Sequence, residues 1–202
     1  MKYIKFFEQH KNKILIIVDV QKSFSKYFTK NYLKELNKYC SEFDAVYQIW
    51  DNHSDGKNPD KDFLYHNNPD IENKKDLYTF NNQCDLIEKR YSYDVDVEHF
   101  KNILDEKTYN LIKSKEKNLK VGEYFPTTEG TIIVYIGNNH NYFHLTKKLY
   151  DLFKSLKGKE IVFCGGAKNE CLSDILISAK ALGIKVIKNN KYIYSATFCP
   201  IK

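Results

Sequence analysis

An α/β fold, with a mainly parallel sheet between two layers of helices, is what three features of this chain predict. Short β-branched apolar runs recur along it, stretches with apolar residues at helical spacing alternate with them, and glycine or polar turns separate the two. That alternation calls for parallel strands, because each helix carries the chain back across the sheet. Right-handed crossovers then give a three-layer α/β/α, Rossmann-like architecture with sites at the carboxyl ends of the strands.

The elements follow in order. Lys13 to Asp19, KILIIVD, is a continuous apolar run of the kind covered on both faces of a sheet. Phe28, Tyr32, Leu33, Leu36 and Tyr39 then keep helical spacing, and Asp44 to Trp50, DAVYQIW, is the second strand. Asn52 to Asp85 is rich in Asn, Asp, Lys and Pro without a sustained period, and reads as a long ordered loop or a set of short turns, of a length that is usually functional or mobile. Asp85 to Glu88 is a short strand ending in Lys89, and Val97 to Ser114 has the spacing of one or two helices. Lys120 to Tyr124 and Thr131 to Ile136, separated by PTTEG, predict an added β-hairpin. From Tyr142, Leu145, Leu149, Leu152, Phe153 and Leu156 predict a helix that Gly158 stops. Ile161 to Cys164 is a strand, Asn169 to Leu182 a helix closed by Gly183, and Ile184 to Ile187 a further strand. No repeat, linker or low-complexity tract interrupts this order. One domain over 1–202 is expected, with an insertion at about 94–136.

Composition bounds the function. A chain of 202 residues can bury about 70% of the surface its unfolded form exposes, enough for a core without disulfide or metal. No run of about 18 apolar residues exists, so no membrane span is expected, and Met1 to Lys13 lacks the apolar stretch of a secretory signal. A cytoplasmic protein is the expectation. Cys40, Cys84, Cys164, Cys171 and Cys199 are odd in number and lack CxxC spacing, which argues against a disulfide framework and a zinc ribbon. The net charge of +6 comes from scattered lysines, with Arg90 the only arginine, so a solvated surface is favoured over nucleic-acid binding.

Three residues that carry chemistry follow predicted strands: Asp19, Lys89 and Cys171. Cys171 lies in CGGAKNEC, after a glycine turn and near a helix start, where the positive end of the helix dipole raises the thiolate fraction. Asp19 can then shuttle the proton, and free amides near Ala167 and Cys171 can hold an oxyanion. Taken singly, the bland reading of Cys171 is a small buried hydrophobe, of Asp19 a helix cap, and of Lys89 a solvated charge.

The stretches ILIIVDVQKSF (Ile14 to Phe24), IEKRYSYD (Ile87 to Asp94) and VFCGGAKNECLSDILISAKALGIKVI (Val162 to Ile187) together resemble the isochorismatase-like cysteine hydrolases, the superfamily that includes nicotinamidases. The resemblance covers about the first 50 and last 40 residues and matches the middle poorly. It implies Cys171 as nucleophile, Asp19 as general base and acid, and Lys89 as the group that stabilises thiolate and transition state. It also implies a cis peptide between Gly166 and Ala167 that aims the Ala167 and Cys171 amides into an oxyanion hole. Gln21, Phe24 and Trp50 are implied to line or support the pocket.

The nicotinamidase branch binds a divalent metal through an Asp-x-His after the second strand. Here WDNHS sets Asp51 and His53 at that motif, and His66 stands as the third ligand, while the branch's next histidine has no counterpart. The metal implied is zinc, manganese or iron; no organic cofactor is expected. Against that stands loop capping by Asp51 and a surface imidazole at His53. His140 and His144, at i and i+4, are expected on a helix surface, and the other four cysteines as packing residues. The expected partners are a small-molecule substrate and, from the resemblance, further copies of the chain in a homo-oligomer.

The leading expectation is a hydrolase cleaving a C–N bond in a small amide, nicotinamide among them. An isochorismatase-type hydrolase of another small substrate, and a catalytically degenerate binding or assembly module, remain as alternatives.

Overall fold

The structure is a computed structural model that describes residues 13–51, 77–80, 84–89, 96–137 and 141–196. Five parallel strands form the central sheet: β1 (Ile14–Val18), β2 (Ala45–Asp51), β3 (Cys84–Lys89), β7 (Glu160–Gly165) and β8 (Lys185–Ile193). Their order is β3-β2-β1-β7-β8, with every neighbouring pair parallel. The three-layer α/β class read from the sequence is therefore the observed one. The chain moves outward from β1 through β2 and β3, then returns to the other side of β1 with β7. The carboxyl ends of β1 and β7 thus flank the point where the winding reverses, the place where such sheets open a crevice.

Burial explains why these segments are strands. All five residues of β1 are buried, as expected for a central parallel strand covered on both faces. Leu15 and Ile17 pack under α1 (Tyr32–Cys40) with Tyr32, Leu36 and Cys40. Ile14, Ile16 and Val18 face α3 (Lys147–Ser155) and α4 (Cys171–Ala181), where Leu149, Phe153, Leu172 and Ile175 are fully or almost fully buried.

The inserted region is a second, antiparallel sheet of three strands, β4 (Tyr124–Pro126), β5 (Ile132–Tyr135) and β6 (Tyr142–Leu145). The sequence predicts a hairpin, and the hairpin is there with its first strand two to four residues later than expected. Its central strand is buried on both faces. Ile132 and Val134 join the main core, while Ile133 and Tyr135 pack on Val97, Phe100, Leu104 and Ile112. The latter belong to a 3-10 turn at Val97–Phe100, the following loop, and α2 (Glu106–Lys115).

Two elements differ from expectation. Tyr142 to Leu145 is a strand, not the first turn of a helix: its residues pair with β5, with Phe143 and Leu145 turned into the main core. Tyr142, Phe143 and Leu145 are buried without alternating, so no period of two shows, and the helical spacing of Leu145, Leu149 and Phe153 hides the break. The helix starts where Thr146 caps it, its hydroxyl accepting the Leu149 N–H at 3.2 Å. The last strand also runs to Ile193, well past Ile187, because Tyr192 is buried against α1 in an otherwise polar stretch.

Thr146 has a second partner, since its hydroxyl donates to the Glu88 carbonyl at 2.7 Å, and Lys148 Nζ reaches the Leu86 carbonyl at 2.8 Å. These side chains satisfy carbonyls on the outer edge of β3, which a sixth strand would otherwise take. Thr146→Ala is expected to lower stability by about 1–2 kcal/mol and Thr146→Ser to restore most of it. Urea unfolding measures both, and an unchanged midpoint for the alanine variant would remove Thr146 from this role.

Among the described residues no helix is long and apolar enough to cross a membrane.

Candidate active site

Asp19 is the residue at which β1 leaves the sheet. It is fully buried, with φ of +48°, a left-handed conformation that aspartate tolerates better than most residues. Its N–H still donates to the Ile49 carbonyl at 2.9 Å, while its own carbonyl turns aside to accept the Gln21 N–H at 3.0 Å and the Tyr194 hydroxyl at 2.7 Å.

Lys89 ends β3 and is 4% exposed. Its ammonium forms a buried ion pair with the Asp19 carboxylate. β2 lies between the two strands, so the pair bridges two inter-strand spacings, roughly 9.5 Å of backbone separation. Only a long, flexible cationic stem crosses that gap to an aspartate. A solvated lysine and a helix-capping aspartate are both excluded, and the 3-10 turn at Lys22–Tyr27 is preceded instead by Gln21.

The Cys171 segment comes off the neighbouring strand. Val18 and Gly165 are register partners, and the Gly166 N–H donates to the Val18 carbonyl at 3.0 Å. Gly165 has φ of +98°, and a Cβ there would sit 2.0 Å from the Val18 oxygen, so glycine is required. Gly166 is equally constrained: a Cβ would lie 2.7 Å from the Tyr194 carbonyl oxygen and 2.8 Å from two of its ring carbons. The peptide between Gly166 and Ala167 is cis, where the resemblance implies one. The Ala167 carbonyl accepts the amides of Glu170 and Leu172 at 3.1 and 3.2 Å, which closes the turn into α4. Cys171 is the first residue of that eleven-residue helix and is half-buried. Its thiol therefore sits at the positive end of the helix dipole.

The Tyr194 phenol connects the groups. Burial first, then the charges of Asp19 and Cys171, hold its pKa well above the ordinary tyrosine value. Both residues thus act electrostatically on one hydroxyl, which stays protonated and available as a donor.

The remaining thiols differ in kind. Burial pushes Cys40 up to about 12 and Cys84 up to about 11, and holds Cys164 well above the usual thiol range. They keep their protons at neutral pH, consistent with packing roles; Cys199 lies outside the described residues.

Of the expected pocket residues, Gln21 is fully buried and bridges to Leu77, and Phe24 is buried with its ring centroid 6.5 Å from that of Tyr194. Trp50 is buried one residue before the end of β2, in register with Glu88. Sequence reasoning missed Tyr194, which carries no local signal, and Gln48, whose Nε2 donates to the Val20 carbonyl at 3.3 Å. Gln48 had a signal: it is the single polar residue inside the apolar run AVYQIW, and it is 1% exposed.

The expected metal ligands are mostly out of view. Asp51 closes β2 as the register partner of Lys89, whereas His53 and His66 lie outside the described residues. Among the described residues no group of three His, Cys, Asp or Glu side chains converges as a metal site. His140 is likewise outside them. His144 departs from the helix surface expected for it: it lies on β6, half-buried, with Nε2 2.5 Å from the Thr131 hydroxyl and its ring edge-on to Phe100.

Comparison with protein-family models, curated proteins and solved structures returned no match to this chain.

Proposed function

We propose that the protein is a cysteine hydrolase that cleaves the C–N bond of a small amide. The observation that supports this best is the buried Asp19–Lys89 ion pair at the carboxyl ends of β1 and β3, beside a turn that delivers Cys171 to a helix start. A buried ion pair is costly to desolvate and adds little stability over apolar packing, so its occurrence at the switch point of the sheet favours a chemical role.

In this reading Asp19 accepts the Cys171 thiol proton while the Lys89 ammonium offsets the growing negative charge. The sulfur attacks the amide carbonyl carbon, and the oxyanion is held by the N–H groups of Ala167 and Cys171. Asp19 returns its proton to the departing nitrogen, the C–N bond breaks, and ammonia or an amine leaves a thioester. Asp19 then deprotonates water, which attacks the thioester. The carboxylic acid departs and the proton goes back to sulfur.

The same reading expects a cytoplasmic protein that associates with copies of itself, with Gln21, Phe24 and Trp50 supporting the pocket. A divalent metal (zinc, manganese or iron) would be held by Asp51 and His53 with His66, and no proposed step passes through it. An ammonia-release screen over small aliphatic and aromatic amides, with and without these metals, tests substrate class and metal need together. Turnover of at least one amide is expected. No release from any of them, with the protein folded, would turn the reading toward hydrolysis of another bond or toward a binding module.

A further inference from the structure

Tyr194 lies just beyond β8, outside every stretch that carries the chemistry in sequence, yet it touches both halves of the site. Its hydroxyl donates to the Asp19 carbonyl at 2.7 Å. Its N–H donates to the Gly165 carbonyl at 3.1 Å, and its own carbonyl accepts the Lys168 N–H at 3.0 Å. Its ring lies so close over Gly166 that no β-carbon fits between them. The ring is itself held by Phe28, edge-on at 4.9 Å, and by Tyr32, perpendicular at 6.1 Å.

We infer that Tyr194 is a positioning residue that locks the Asp19 turn to the Gly165–Lys168 turn and so sets the approach of carboxylate and thiol. The inference rests on the proposed role of Cys171. The physical argument is one of constraint. The Asp19 N–H is still held by the Ile49 carbonyl, but its positive φ turns its own carbonyl out of the ladder, so the peptide that follows is fixed by what anchors that carbonyl, and the orientation of the Cα–Cβ bond with it. The anchor from the far side is the Tyr194 hydroxyl. The same residue, through its main chain, fixes the turn that leads to Cys171. A single residue thereby couples two loops that belong to neighbouring strands, and its burial keeps the hydroxyl protonated for the purpose.

The test compares the intact protein with Tyr194→Phe, which removes the hydroxyl and keeps the ring, and with Phe28→Leu, which loosens the ring's packing and leaves the hydroxyl. The readout is the rate of Cys171 alkylation by iodoacetamide across pH 5–9, followed by peptide mass spectrometry, with thermal unfolding alongside. Tyr194→Phe is expected to slow Cys171 labelling about tenfold at pH 7 and to displace its pH profile, and Phe28→Leu to lower the melting temperature with labelling unchanged. If Cys171 of the intact protein labels fast and Tyr194→Phe matches it in rate and profile, the role of Tyr194 is overturned alone. If both variants slow labelling equally, Tyr194 acts through packing and the inference fails. If Cys171 of the intact protein labels no faster than Cys40, the nucleophile falls, and the positioning role with it.

Discussion

Cys171→Ala is expected to abolish amide turnover, by at least about a thousandfold, because in the proposed mechanism every later step needs the thioester that this sulfur would form. The same variant should fold normally. Cys171 is half-buried, and replacing a thiol by hydrogen there costs about 1 kcal/mol or less. Thiol labelling at neutral pH supplies the complementary result. With Cys40 pushed up to about 12 and Cys84 to about 11, and Cys164 also raised, these three remain protonated at pH 7 and gain thiolate only as the pH climbs toward those values. Iodoacetamide should therefore modify Cys171 first, and buried Cys40 and Cys164 and half-buried Cys84 only under strongly alkaline or unfolding conditions. Equal labelling of all four at pH 7, or retained turnover in Cys171→Ala, would end the proposed mechanism.

The second large effect is on stability and separates structure from chemistry. Lys89→Met leaves the Asp19 carboxylate buried without its counter-ion, and a loss of about 3–5 kcal/mol is expected. Asp19→Asn combined with Lys89→Met removes both charges, and should recover much of that loss while turnover stays absent. Urea unfolding of the two variants beside the intact protein gives the comparison. Were the single variant as stable as the intact protein, the pair would not be the desolvated interaction described above. Were the double variant active, Asp19 would not be the proton carrier.

The fold was legible because its determinants are local. ILIIV is a short, β-branched apolar run bounded by polar residues, which favours a strand covered on both faces, and the glycine turn before Cys171 announces a strand passing into a helix. Asp19, Lys89 and Cys171 were legible for a related reason, since each stands at the end of a strand or the start of a helix that the apolar pattern defines. The break at Tyr142 was not legible, because both faces of this short strand are covered and its apolar residues do not alternate. The extension of β8 to Ile193 was hidden by its lysines and asparagines, which suit the solvent-facing edge of a sheet.

By itself, then, the sequence determined the alternation of strands and helices, the residues at their ends and the glycine turn before Cys171. It left open which ends meet. Strand order is a matter of long-range burial, and β3-β2-β1-β7-β8 is what carries Lys89 across β2 to Asp19 and sets Gly165 beside Val18. Tyr194, 175 positions from Asp19, becomes its hydrogen-bond partner for the same reason. A tyrosine in a polar strand end has no pattern of its own, and only the packing of β8 beside β7 gives it a place in the site.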